Sequence, residues 1–505
     1  MTDEPVYFDE DEGENLPSIE ELQEEAPLTT DSANAEAVVR EHGKGYRYVL
    51  AWNTWIAWDG RRWAVEGAKL RLQESIKNTM RLLWARARAR LRSAEERIQQ
   101  AALAGQKDEA AEASVRREKA LLKWYEQSQN QAKIEACTKR LEAMLPVSHA
   151  QLDRKPWLLN VANGTIDLRT AELRPHDRED LITQIAEVEF HDDARCPTWE
   201  SFVRGAMGGD LQLVLYLQRW AGYMATGNVS EHAMLFLYGG GRNGKSTFVT
   251  TICKVLGEYA CSAPRELLFV TRTGERHPAE IARLHGKRAV SCAEVPEDAQ
   301  LDEAKVKDLT GGDVVACRRM REDFWDLHPT HKFVLSGNHK PNIKGADDGI
   351  WRRLRLVPWL VQVSEDAVDR RLPDKLYAER EGILRWIVQG CLEWQRIGLC
   401  EPEIVRAATR EYREESDAVG RYLAERVVFG PDERVARADL RRDYEAWCEE
   451  QGYQPLGARR FAQRLREHGV TDATIRVGQT FKNGWRGVRL RTVFDGEGET
   501  SAVAN

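Results

Sequence analysis

The chain has 505 residues, 42% hydrophobic and 31% charged, with 81 acidic against 74 basic side chains and a formal net charge of -7. That length predicts two to four domains with room for a proper core. No apolar run approaches the roughly 18 residues of a membrane span, and nine scattered cysteines form no CxxC pair, which argues against a membrane helix, a disulfide framework and a cysteine zinc site. A reducing, cytoplasmic setting is expected.

The net charge hides an asymmetry. Residues 1–37 carry thirteen Asp/Glu and no Lys/Arg, leaving 68 acids against 74 bases in the remainder. Such an acidic, Pro-dotted leader buries little surface and is expected to be disordered. A plain solvated tail is the simpler reading; binding a basic partner or shielding a DNA site is the other.

Order is expected from Val38. The aromatic stretch "YRYVLAWNTWIAWDGRRWAVEG" has an Asp59-Gly60 turn between apolar flanks, the pattern of a β-hairpin. Its Trp52, Trp55, Trp58 and Trp63 are read as the core of a small sheet, with base stacking as the alternative. From about Ala68 to Leu145 the Ala/Arg/Glu/Lys/Leu-rich pattern predicts a long helical hairpin or bundle with a single break near "LAGQKDE". Its "RARARLR" run, Arg86 to Arg92, is a solvated helix face or a phosphate contact. "PWLLNVANGTIDLRTAELRPHDREDLITQ" predicts short antiparallel strands with turns at Asn163-Gly164 and near Thr170. Helices follow over "ARCPTWESFV" and "LQLVLYLQRWAGYMATG".

The stretch "GGGRNGKST", Gly239 to Thr247, lies between the strand-like run Ala233 to Tyr238 and a helical continuation. Glycines let backbone N–H groups converge on phosphate oxygens, and the following helix adds the positive end of its dipole. Gly239, Gly240, Gly241, Arg242, Asn243, Gly244, Lys245, Ser246 and Thr247 are therefore the candidate ATP-binding residues, with Lys245 reaching the β- and γ-phosphates and the Ser246 hydroxyl on Mg²⁺. Downstream, "KRAVSCAEVPED" reads as a strand ending at Glu294, a carboxylate placed to polarise the attacking water and to share in holding Mg²⁺. "HKFVLSGNHKP" reads as a strand ending in a polar tip at Asn338, suited to orienting that water. "DDGIWRRLRLVPW" offers Arg352 and Arg353 as guanidinium groups for transition-state charge, from a neighbouring subunit. Between them, "VVACRRMREDFW" predicts a hairpin whose tip carries Arg318, Arg319 and Arg321, a grip for single-stranded DNA or a solvated surface hairpin.

After the α/β stretch, a helical segment contains "GILRWIVQGCLEWQ". From about Arg434 two helical patterns and an alternating pair give helix, helix, β-ribbon, the order of a winged helix. Arg459, Arg460, Arg464 and Arg466 crowd its second helix, with DNA contact as one reading and protein contact as the other.

These motifs carry a resemblance. "GGGRNGKST", "AVSCAEV", "KDLTGGDVVACRRM", the Asn338 strand and "IWRRLRLVPW", with "LLNVANGTIDLRTAELRPHDREDLIT" and "CPTWESFV" upstream, resemble the phage and plasmid primase-helicase family, superfamily 3 of the AAA+ helicases, to which the poxvirus primase-helicase is distantly related. The resemblance covers 40–360 closely and the tail more loosely. It implies an α/β P-loop AAA+ core (206–362), preceded by a largely helical α+β domain (38–205) and followed by a helical segment (363–430), a winged-helix domain (431–495) and a disordered tail (496–505). It also implies ATP-driven, 3′-to-5′ unwinding by a ring, usually a hexamer, on single-stranded and forked DNA in a bacterial host cell. Residue by residue, Lys245 and Ser246 hold phosphate and Mg²⁺, Glu294 is the Walker B acid, and Asn338 the sensor. Arg353 is then the likelier-placed trans finger with Arg352 beside it, and Arg318, Arg319 and Arg321 form the DNA hairpin. Two departures stand out: Ala293 occupies the place of a first Walker B acid, and no primase domain is expected ahead of residue 38, so a separate primase or polymerase is the expected partner. An origin-binding initiator, or a primase-recruiting ATPase that unwinds little, is the competing class.

Overall fold

The structure, a computed structural model, describes residues 29–270, 278–293, 299–319, 322–343, 348–453, 455–477, 480–492 and 495. By contact the chain divides into two units, Met1–Arg154 with Asp177–Gln184, and Lys155–His176 with Ile185–Asn505.

The first unit starts earlier than the charge pattern implies. Helix α1 (Asp31–His42) is capped by Thr30, whose hydroxyl accepts from the Ala33 N–H, and it buries Ala35, Ala37 and Val38. An expected leader running to residue 37 is therefore too long, because small apolar side chains at helical spacing dock 31–37 despite Asp31 and Glu36. Strands β1 (Tyr46–Val49), β2 (Thr54–Trp58) and β3 (Trp63–Ala64) form an antiparallel meander. Asp59 shapes its turn by accepting the Arg61 and Arg62 N–H groups at 2.8 Å. Trp52, Trp55 and Trp63 are buried, so these rings are core.

Three helices follow rather than a hairpin with one break: α2 (Ala68–Leu103), α3 (Glu109–Gln127) and α4 (Gln131–Met144). The second break falls at "SQN", where neither Gly nor Pro marks it. The buried Ser128 hydroxyl instead accepts from Asn34 of α1 at 3.0 Å. Within the basic run, Arg90 reaches the buried Glu118 at 3.0 Å and Arg86 reaches Glu41 at 3.3 Å, so both fasten helices together. Strand β4 (Pro146–Val147) adds parallel to β1.

The second unit opens with the meander β5 (Leu158–Val161), β6 (Gly164–Asp167) and β7 (Glu172–Arg174), turning where Asn163-Gly164 and Thr170 predict. It groups with the sheet that follows and not with the preceding helices. Arg288 donates to the Leu158 carbonyl at 2.5 Å, and the Asn160 N–H donates to the Tyr259 hydroxyl at 3.0 Å. Helices α5 (Pro197–Ala206) and α6 (Leu211–Ala225) lead to the central sheet.

That sheet is five-stranded and parallel: β8 (Met234–Tyr238), β9 (Ala260–Ser262), β10 (Ala289–Ala293), β13 (Lys332–Gly337) and β14 (Leu354–Pro358), in the order β14-β8-β13-β10-β9. Strands buried on both faces read as continuous apolar runs, as "MLFLY" does. Helix α7 (Lys245–Leu256) follows β8, α8 (Pro278–Ala282) precedes β10, and α9 (Glu303–Thr310) leads into the hairpin β11 (Val315–Cys317) and β12 (Trp325–Leu327). Helix α10 (Asp348–Trp351) precedes β14, and α11 (Leu372–Ala378) and α12 (Arg380–Ile397) follow it. Helices α6 and α12 pack at glycine contacts: a Cβ on Gly222 would lie 2.0 Å from the Cys391 nitrogen.

Helix α13 (Glu403–Ser416) lies on β14, with the Leu356 N–H donating to the Thr409 hydroxyl at 3.1 Å. The C-terminal module is α14 (Ala418–Arg426), β15 (Val427–Ala436), α15 (Arg437–Glu450), α16 (Ala458–Glu467), β16 (Thr471–Val477) and β17 (Thr480–Leu490). Its antiparallel sheet runs β15-β17-β16 over a core that includes Tyr422, Leu440, Tyr444, Trp447, Phe461, Leu465 and Trp485. Helix α14 and most of β15 therefore join a module that the sequence pattern begins only at its later helices. Among the described residues no helix is long and apolar enough to cross a membrane.

Candidate functional site

In a parallel sheet, ligands sit beyond the carboxyl ends of the strands, and the Gly239–Gly244 turn lies there, between β8 and α7. Its tight path has visible causes. Gly244 takes a φ of +86° and so enters α7 from the left-handed region, and a Cβ on Gly239 would stand 2.1 Å from the Trp359 carbonyl oxygen. Asn243 is buried and interlocks with Trp359. Its Nδ2 donates to the Trp359 carbonyl at 2.9 Å, while the Trp359 indole N–H donates to the Asn243 carbonyl. Arg242, exposed at a φ of +59°, pairs with Glu365 and its carbonyl accepts from Val363 at 2.9 Å. Gln362 lies against Gly240.

Lys245 is 5% exposed. Its ammonium donates to the carbonyls of Gly239 (2.6 Å) and Gly240 (3.0 Å), to Asn243 Oδ1 (3.0 Å) and to Asn338 Oδ1 (3.2 Å). Burial pushes its pKa below the ordinary lysine value, and every one of these acceptors is neutral. A buried cation held only by neutral oxygens is set up to receive an anion. Ser246 is exposed in the first turn of α7, and Thr247 is half-buried.

The structure thus brings Asn338, 93 residues away in sequence, onto the turn. It follows β13, which lies beside β8. Glu294 lies outside the described residues. The strand leading to it, β10, ends at Ala293 opposite Ser336 of β13. Among the described residues no group of three or more His, Cys, Asp or Glu could hold a metal ion.

The two candidate finger residues differ from expectation. Arg353 is turned into its own chain: its guanidinium donates to the Thr310 hydroxyl at 3.1 Å and to the Gly349 carbonyl at 2.9 Å. Arg352 is exposed and lines a cleft of about 1290 Å³. Between the buried Trp351 that ends α10 and the buried Leu354 that opens β14, Arg353 is half-buried and the exposed guanidinium is that of Arg352. Both precede β14, whose entry Leu354 pairs with Met234 and whose end Pro358 pairs with Tyr238. The strand therefore holds them about 13 Å or more from the glycine turn, at the opposite end of the β14–β8 pair.

The Arg-bearing hairpin is present. Arg318 is exposed and sits 4.7 Å from the centre of the Phe324 ring, itself 60% exposed. Arg319 is half-buried, and burial lowers its pKa from the usual arginine value. Arg321 lies outside the described residues. On α16, Arg464 is neutralised within the fold by Glu467 (3.0 Å) and Asp417 (3.5 Å), and Arg466 by Asp472 (2.9 Å). Arg464 is thus a packing residue here, because the helix turns that side chain toward Asp417. Arg459 and Arg460 stay exposed. Sequence reasoning missed Trp359, Gln362, Glu365 and Phe324. The first three follow a strand whose pairing with β8 is invisible along the chain, and Phe324 passes for ordinary strand composition.

Residues 35–208 match the D5 N-terminal-like family, 237–353 a family of unknown function, and 414–484 the poxvirus D5 protein-like family. The chain is 26% identical over 322 residues to a candidate helicase of Acanthamoeba polyphaga mimivirus, covering 59% of this chain and 33% of that one. It is 24% identical over 310 residues to a candidate primase of African swine fever virus (55% and 32%). A candidate helicase of Frog virus 3 is 26% identical over 257 residues (46% and 26%). The chain spans about a third or less of the length of these relatives. Among solved structures, the A-form apo structure of the NrS-1 C-terminal region superposes with a TM-score of 0.46 at 10% identity, covering 89% of this chain and 98% of that one. The D5-like matches lie on either side of the parallel sheet and its glycine turn, so the chain carries a D5 N-terminal-like region and a poxvirus D5-like region and is similar to viral proteins named as helicases and primases.

Proposed function

We propose that the chain is an ATP-dependent, ring-forming replicative DNA helicase of a phage, plasmid or other mobile element. The parallel sheet is read as a superfamily 3 AAA+ P-loop core and the C-terminal module as a winged helix. The observation that carries this reading is the buried Lys245 ammonium at the glycine turn, held by four neutral oxygens, one of them Asn338 Oδ1.

On this reading ATP supplies the phosphoryl group to be cleaved, with Mg²⁺ countering its charge. Lys245 exchanges its carbonyl partners for β- and γ-phosphate oxygens, and the backbone N–H groups of 240–246 line the rest. The exposed Ser246 hydroxyl is the metal ligand from this part of the fold, with Glu294 as the carboxylate. Asn338, already on the Lys245 ammonium, orients the attacking water. Arg352 is too distant from its own turn to serve it, so it serves the turn of a neighbouring protomer in a head-to-tail ring, usually of six. The hairpin with Arg318, Arg319, Arg321 and Phe324 offers charge for phosphates and a ring for a base. Arg459 and Arg460 offer a second DNA contact. The relatives above belong to large DNA viruses and lend no support to a bacterial cytoplasm in particular.

Strand displacement on a forked DNA tests the reading. The native chain should separate the strands with ATP and Mg²⁺, and Lys245→Ala should lose roughly a hundred-fold or more in rate. Unwinding that survives the substitution rejects the phosphate role of the turn. ATP hydrolysis without displacement favours an initiator, or an ATPase that recruits a separate primase or polymerase.

A further inference from the structure

A second cavity, of about 200 Å³, lies along α7 just past the glycine turn, and beyond Ser246 and Thr247 its lining has no part in the reading above. It is lined by Ser246, Thr247, Thr250, Thr251 and Lys254 of α7 and by Pro373 and Tyr377 of α11. The α7 residues fall at i, i+1, i+4, i+5 and i+8, so they form one stripe along the helix. Pro373 and Tyr377 are four apart and present one face of α11 to it. Ser246 and Thr247 stand in the first turn of α7, directly after Gly244, so the cavity begins where the glycine turn ends.

Tyr377 is 42% exposed. The Lys254 ammonium stands 5.9 Å from its ring centre and the Arg380 guanidinium 5.4 Å. Both cations lie loosely over the ring, so a flat heterocycle that enters the groove stacks on Tyr377 by taking the place of one of them, and its π-face is attracted by the other. The volume lies below the roughly 300–1,000 Å³ of a pocket for a whole drug-sized ligand, which suits a single base and not a base with its phosphates. Lys254 lies nine residues beyond Lys245, about 13 Å along the helix, so the groove leads away from the phosphate anchor.

We infer that this groove is the nucleobase subsite of the nucleotide held at the glycine turn, with Tyr377 as its stacking platform. The inference rests on the phosphate-binding reading of the turn and extends it to the rest of the ligand. Stacking accepts any base, with the larger purine ring favoured by area. The Thr247, Thr250 and Thr251 hydroxyls supply donors and acceptors for the ribose and the base edge. Because Tyr377 touches the part of the ligand that does not react, its effect falls on binding and on KM, with kcat retained.

Calorimetric titration of the full chain with Mg²⁺-ATP and with Mg²⁺-tripolyphosphate, which has no base, separates the two ideas. The native chain should bind ATP more tightly than tripolyphosphate. Tyr377→Ala should weaken ATP binding by roughly 5- to 150-fold while leaving tripolyphosphate unchanged, and Tyr377→Phe, which keeps the ring, should bind both like the native chain. Equal affinities of the native chain for the two ligands, or native ATP affinity in Tyr377→Ala, overturn the base subsite and leave the phosphate site standing. If the native chain binds neither ligand, the phosphate site falls and the base subsite with it.

Discussion

The sharpest test of the ring concerns Arg352. Its position at the entry of β14, about 13 Å or more along the strand from the end that meets the turn, makes service to its own Lys245 geometrically impossible. On the proposed reading each active site then needs Lys245 from one protomer and Arg352 from the next. Lys245→Ala and Arg352→Ala should each be nearly inactive alone, since an arginine finger contributes on the order of 10³-fold or more to turnover. Mixed in equal amounts, they form four kinds of interface at random, and one kind has both groups intact. Activity should therefore recover to about a quarter of native in a head-to-tail assembly. ATP hydrolysis is the assay, with light scattering to confirm that mixed assemblies form. No recovery in confirmed mixed assemblies refutes a finger acting across protomers. Recovery with Arg353→Ala in place of Arg352→Ala would transfer the role to Arg353 and overturn the assignment made from its Thr310 and Gly349 bonds.

Three further outcomes follow from other parts of the fold. Gly222→Ala places a methyl 2.0 Å from the Cys391 nitrogen and 2.3 Å from the Gly390 carbonyl carbon; backbone cannot yield as a side-chain tip does, so overpacking of about 1–3 kcal/mol or more should lower Tm by several degrees, and an unchanged melting curve contradicts the tight helix crossing. In single-strand binding followed by anisotropy across a salt series, Phe324→Ala should cost about 1–3 kcal/mol and Arg318→Ala should reduce the log–log salt slope by about 0.7; native affinity in the first and a native slope in the second place the DNA contact elsewhere. His331 is wholly buried beside Lys332, and burial pushes its pKa from the ordinary 6.5 down to about 3. The unfolded chain takes up that proton first, so the contribution is intact above pH 6.5 and is lost as pH falls toward 3, at about 1.4 kcal/mol per unit. Urea unfolding at pH 7, 6 and 5 should show this slope, reduced in His331→Leu; parallel slopes reject the assignment.

Elements whose cause is local were legible in the chain. The Asp59-Gly60 and Asn163-Gly164 turns, the apolar run of β8 and the hairpin around Arg318 follow from dihedral preference and from burial on one or both faces, which act over a few residues. The start of α1 was not legible because acidic composition outweighed a short apolar stripe, and the break at Ser128 was not because a hydrogen bond from Asn34, distant in sequence, sets it. At the site, glycine spacing pointed to the turn itself, and the strand-end position of Asn338 pointed to its place beside Lys245. The groups that hold the turn in place, Trp359 and Glu365, come from the far side of a strand pairing that no single segment reports.

The same pairing explains why the sequence reading put Arg353 ahead of Arg352 although Arg352 is the exposed one of the two. "RR" before a strand states charge but not phase. Leu354, Leu356 and Val357 are buried on the sheet, and the short helix α10 ahead of them rotates Arg353 onto Thr310 while leaving Arg352 outside. Strand β14 consequently carries Arg352 near one end and Trp359, which clasps Asn243, just beyond the other. Its sheet position next to β8 fixes the distance between them. On the proposed reading, that rigid spacing is what lets a single strand present a charge to the neighbouring protomer while bracing the phosphate turn of its own, and it is why the finger and the turn of one chain never meet.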